Sequence, residues 1–72
     1  MTNTDFKRLR EDLGMKQSDF GRLFGFSAPQ VRVTEIETGK VKVSAQVAML
    51  CRYIQTFGIL PDMQENEEKI YD

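Results

Sequence analysis

Seventy-two residues, 40% of them hydrophobic with five Phe and two Pro, supply one small helical domain and no second core, since independent domains run from roughly 50 residues upward. Zero His and a single Cys, Cys51, exclude the usual zinc-ligand sets, the Ser/His/Asp and Cys/His catalytic constellations and any intrachain disulfide, so no enzyme, metal or cofactor is expected and the compartment reads as cytoplasmic. The net charge of −1 conceals a gradient, because residues 1–60 carry nine Lys/Arg against six acids (net +3) while residues 61–72 carry one Lys against five acids (net −4).

The first periodic segment sets Phe6, Leu9 and Leu13 at i, i+3, i+7. Behind it stands Thr2-Asn3-Thr4-Asp5, rich in side chains that cap helices, and ahead of it Gly14 is a stop, so a first helix is expected over about 4–13. A second begins near Lys16-Gln17-Ser18-Asp19, with Asp19 at the positive end of the dipole, and carries Phe20 and Phe24 before Gly25 ends it. Gly25-Phe26-Ser27 reads as a tight connector. Ala28-Pro29 announces a third helix over about 29–38, because Pro suits the first helical position and biases its predecessor away from helix, and Gly39 stops it.

Lys40-Val41-Lys42-Val43 alternates for four residues, too short and too partnerless for a strand, and reads as an extended loop. Ser44 caps a fourth helix from Ala45 to Phe57, with Gly58 as its stop. Ile59-Leu60-Pro61 leads into the acidic tail, where 62–71 could add only a marginal fifth helix. The division expected is therefore a helical domain over 1–58 and an acidic segment over 59–72. No run approaches the ~18 apolar residues of a membrane span, and the N-terminus lacks the basic-then-apolar order of a signal peptide, so a soluble, unexported chain with no membrane partner is expected.

Four short helices make a compact all-α domain, and the pair at 17–24 and 29–38, joined by a short turn containing Gly, has the outline of a helix-turn-helix. The string Leu13-Gly14-Met15-Lys16-Gln17-Ser18-Asp19-Phe20-Gly21-Arg22-Leu23-Phe24-Gly25-Phe26-Ser27, followed by Ile36-Glu37-Thr38-Gly39-Lys40, resembles the Cro/lambda-repressor (XRE) family of DNA-binding domains. The resemblance covers about residues 5–57. It implies a lambda-repressor-like fold of four to five helices in a bacterial or phage transcription regulator. That regulator would be a repressor or autorepressor that binds a palindromic double-stranded operator as a homodimer. Two departures stand out: Gly21 occupies a position where the family usually has Ala, and the interval from Ser27 to the Ile-Glu-x-Gly element is about two residues longer than usual.

Periodicity sets the register of the third helix. With Val33 and Ile36 facing the core and Pro29 one turn earlier, the residues Gln30, Val31, Thr34, Glu35 and Thr38 point away; the other register would bury Glu35. The outward face then offers Gln30 for an adenine, Val31 for a thymine methyl, Thr34 for either, and Arg32 on the flank for guanine or phosphate. The competing reading is a solvated face with Arg32 paired to Glu35. Glu35 repels phosphate and is useful only as an acceptor from a cytosine amino group. The resemblance implies that Gln17 grips the DNA backbone and braces the recognition helix. Lys16, Lys40 and Lys42 are the other candidate phosphate contacts, or else simply keep the surface soluble.

Phe6, Leu9, Leu13, Phe20, Leu23, Phe24, Phe26, Val33 and Ile36 are expected in the core or at its rim, joined by a stripe of Val47, Leu50, Cys51, Ile54 and Phe57 on the fourth helix. Met49 and Tyr53 widen that apolar arc beyond what one core contact needs. With Ile59 and Leu60 they are candidate dimer contacts, the alternative being a cover formed by the chain's own C-terminal segment. A function of a different class also fits: a protein-interaction module, such as the antitoxin of a toxin–antitoxin pair that binds a partner through its C-terminal segment and also binds its own promoter.

Overall fold

The computed structural model describes residues 1–59, which form four helices with no strand among them. They are α1 (Asn3–Asp12), α2 (Gln17–Leu23), α3 (Pro29–Glu37) and α4 (Ala45–Phe57). Each lies within a residue of its expected position, because most of the ends carry a local signal. The Asp5 amide donates to Thr2 Oγ1 (3.0 Å) and the Thr2 amide donates to Asp5 Oδ2 (3.2 Å), a reciprocal box that starts α1 one residue earlier than expected. The Thr2 amide, and after it the neighbouring Thr2 hydroxyl, hold the Asp5 carboxyl below its usual range. Ser44 Oγ accepts from the Val47 amide (3.2 Å) and starts α4. Pro29 opens α3 behind an Ala28 held out of the helical region at φ −124°, ψ 78°.

The glycine stops act as expected. Gly25 and Gly39 take φ of 75° and 83°, where a Cβ would be strained, and so turn the chain out of α2 and α3.

The α2–α3 pair is the most extensive helix contact; α1 lies across α3, and α4 packs on α1. What brings α2 onto α3 is Gly21: it is buried, and a Cβ there would lie 2.6 Å from the Pro29 carbonyl oxygen.

The core holds Phe6, Leu9, Phe20, Val33, Ile36, Val47, Cys51 and Ile54, with Leu13, Leu23, Phe24 and Phe26 packed around it. Phe6, Phe20 and Phe24 form a triangle of rings with centroids 4.9–5.7 Å apart, and Phe26 stacks on Phe24 at 5.6 Å, carrying the aromatic series out to the surface. Burial pushes the Cys51 thiol up to about 11, so it acts as a small core hydrophobe.

Two expectations about this core need correction. Leu50 and Phe57, assigned to the buried stripe of α4, are 37% and 67% exposed. α4 packs by a single narrow stripe, Val47, Cys51 and Ile54, and Leu50 and Phe57 fall on its flank beside Met49 and Tyr53. Conversely, Met15, Val41 and Val43 pack against the core from loops. The alternation of residues 40–43 turns the two valines inward and the two lysines outward without any strand pairing. Asn3 ties this loop down: its Nδ2 donates to the Ile36 carbonyl (2.7 Å) at the end of α3 and to the Val41 carbonyl (2.8 Å).

Leu60 and the acidic tail, with its expected marginal helix, lie outside the described residues. No helix among the described residues is long and apolar enough to cross a membrane.

Candidate nucleic-acid interface

The register of α3 follows from what its two faces meet. Val33 is fully buried and Val31 is 60% exposed, so the buried stripe is Val33 and Ile36 and the outward strip carries Gln30, Val31 and Thr34, with Arg32 on one flank. All four of those residues are exposed. The strip therefore presents an amide, methyl groups, a hydroxyl and a guanidinium on a convex helix surface, an assortment suited to groove edges rather than to enclosing a small molecule. A hollow lined by α1 and α4 residues of both charge signs, including Asp5, Arg8, Asp12 and Arg52, lies elsewhere.

The opposite flank of α3 is anchored by a network that the sequence reading did not foresee. Glu37, its side chain only 5% exposed, receives the Arg10 guanidinium in a two-pronged pair: Nε donates to Oε2 and Nη2 to Oε1 (3.1 Å). The Arg10 Nη1 donates to the Met15 carbonyl (2.9 Å), so one side chain joins α1, the connector and the end of α3. The hydrogen bond to Glu37 raises the affinity of Arg10 for its proton.

Gln17 extends the network to the outward strip. Its Nε2 donates to Glu37 Oε1 (3.0 Å) and its Oε1 accepts from Thr34 Oγ1 (3.2 Å). The amide has no choice of orientation, because a carboxylate only accepts, and Nε2 must face Glu37. The Thr34 hydroxyl has one proton, which it shares between Gln17 and the Gln30 carbonyl (2.8 Å). Gln17 is thus already engaged in bracing α3. One Nε2 proton is left over beyond these two bonds.

Among the described residues every buried side-chain nitrogen and oxygen has a partner. The signal for this network lay in Glu37, one of the two acids flanking buried Ile36; an acid held 5% exposed needs a cation, and Arg10 of α1 supplies it.

Lys16, exposed, is the residue just before α2 and makes no side-chain cap. Lys40 and Lys42 are exposed in the loop leaving α3. Lys40 Nζ lies 3.9 Å from Glu35 Oε2 at 74% side-chain exposure, a loose surface pair that a phosphate can displace. The Arg32–Glu35 pair does not form: Glu35 turns to Lys40, and the Arg32 guanidinium lies over the Phe26 ring, 5.5 Å from its centroid.

On α4, Met49 and Tyr53 are 69% and 41% exposed, and the Tyr53 ring meets Phe57 at 4.8 Å. With Leu50 they form an uncovered apolar arc along one side of the helix. Ile59 is half-buried against the chain's own core. No family model matches the chain, and neither does any curated protein or solved structure.

Proposed function

We propose that this chain is a sequence-specific double-stranded DNA-binding regulator of transcription, a helix-turn-helix of the Cro/lambda-repressor type acting as a repressor or autorepressor from a homodimer. The observation that carries the reading is the outward strip of α3. Gln30, Val31, Arg32 and Thr34 are held exposed on a short helix whose other flank is locked to α1 and α2 through Arg10, Glu37 and Gln17. A strip that reads base edges must be both bare and rigidly placed, and this one is both. In this reading Gln30 meets an adenine, Val31 a thymine methyl and Thr34 either base. Lys16, Gln17, Lys40 and Lys42 hold phosphates on the two sides, and the exposed arc of Met49 and Tyr53, continued by Leu50 and Phe57, joins two copies.

Selection of bound duplexes from a random pool, followed by gel shifts across a salt series, tests it. The expected product is an inverted repeat with half-site centres about 34 Å apart and an affinity that falls steeply with salt. A pool that yields no enriched sequence rejects the reading.

The α4 arc also supports the second reading, an antitoxin-like interaction module, since a protein partner can cover it as well as a second copy can. A purified chain that stays monomeric at high concentration, its α4 arc left for a partner, favours that module.

A further inference from the structure

The Arg32 guanidinium is the one strong donor group on α3 left without a hydrogen-bond acceptor among the described residues, and its position is nonetheless defined. It lies 5.5 Å from the centroid of Phe26, and Phe26 is held in turn by stacking on Phe24 at 5.6 Å with the ring planes 28° apart. Phe24 meets Phe6 and Phe20 at 5.7 and 5.0 Å, so the platform beneath the guanidinium is the end of the core's aromatic series.

A guanidinium over a ring face keeps its N–H donors available at its edge while the ring biases the side chain towards one placement. Flexible phosphate contacts need no such preparation; a two-pronged contact to a base edge gains from it, because the fork must be aimed before it can discriminate. Arg32 is also the fourth residue of α3, in the N-terminal half that enters a groove in this type of docking, while the candidate phosphate contacts lie at the start of α2 and beyond the end of α3.

We infer that Arg32, aimed by Phe26, reads a guanine at one position of each half-site, with Phe26 as the positioning residue. The inference rests on the DNA-binding reading above and specifies which base its flank residue takes.

The test repeats the duplex selection with the wild-type chain and with Arg32→Lys, Arg32→Ala, Phe26→Leu and Phe26→Tyr, scoring base preference, binding to random DNA and thermal melts. The wild-type chain should enrich a guanine at a fixed half-site position. Arg32→Lys keeps the charge and should leave the salt slope unchanged, yet lose that preference by about 5- to 150-fold, as Arg32→Ala does. Phe26→Leu should weaken the same preference several-fold without altering others, and Phe26→Tyr should retain it. Arg32→Lys changes an exposed side chain, so the guanine assignment is tested even if Phe26→Leu melts early.

Full retention of the preference by Arg32→Lys overturns the inference, as does an Arg32→Ala that weakens all sequences alike and lowers the salt slope by one unit. A guanine preference indifferent to Phe26→Leu in a folded protein overturns the role of the platform. A wild-type chain that enriches no duplex overturns the underlying reading instead.

Discussion

A methyl group at position 21 would sit 2.6 Å from the Pro29 carbonyl oxygen and 2.8 Å from its carbonyl carbon and Cα, all backbone atoms that cannot swing aside. Gly21→Ala therefore sets a helix-propensity gain of about 1 kcal/mol against an overpacking cost of roughly 1–3 kcal/mol. The expected outcome is a net destabilisation of about 1 kcal/mol, seen as a Tm lowered by roughly 4–8 °C in a domain of this size. The two valines of α3 make a second single-residue comparison. Val33→Ala empties part of a fully buried site and should cost ~0.5–3 kcal/mol, whereas Val31→Ala, at a 60% exposed position, should leave the melt within ~0.5 kcal/mol and shift base preference at a thymine. Gln30→Ala belongs with Val31 and should cost ~1–3 kcal/mol at one adenine-containing position while sparing random DNA. A damaging Val31→Ala beside a neutral Val33→Ala would mean that α3 is rotated.

Between elements, the Arg10–Glu37 pair fixes where α3 lies relative to α1, and Gln17 transmits that placement to α2. Removing Arg10 leaves a carboxylate that is 5% exposed with only an amide for company. Arg10→Met is thus expected to cost ~1.5–3 kcal/mol in denaturant titrations, and Arg10→Lys to recover only part, since an ammonium cannot engage both carboxylate oxygens as the fork does. Adding Glu37→Leu to Arg10→Met should relieve some of the loss, because replacing both partners removes the stranded charge. A double variant worse than the single would show that Glu37 acts mainly through Gln17.

At the scale of the molecule, charge and apolar surface divide the work. The described body carries the basic excess, with Lys40 and Lys42 in the loop beyond α3. Lys40→Ala or Lys42→Ala should weaken specific and random DNA alike and lower the salt slope by about one unit, the mark of a lost phosphate contact. Altered base selectivity would refute that role. On α4, the combination Met49→Glu with Tyr53→Glu is expected to give a folded monomer by light scattering with much poorer operator affinity. Two half-sites need two linked recognition helices, and neither substitution touches the buried stripe. A dimer that survives unchanged would remove this face from the interface. Leu50 and Phe57, which complete the arc, make it broader than Met49 and Tyr53 alone indicated.

The four helices were legible in the sequence because their ends are local events. Thr2, Ser44, Pro29 and the glycine stops act on backbone groups within four residues, so no tertiary information is needed to place them. The register of α3 was legible for a related reason, since only one rotation keeps Glu35 out of the core. Tertiary structure alone decided what depends on separations of many residues. It closed Arg10 on Glu37 across 27 positions and Asn3 on the Val41 carbonyl across 38, brought Gly21 against the Pro29 backbone, and set Arg32 over Phe26 instead of beside Glu35. It also narrowed the buried stripe of α4, because how much of a helix is covered depends on how many neighbours reach it. Periodicity records that a face is apolar and not what lies against it.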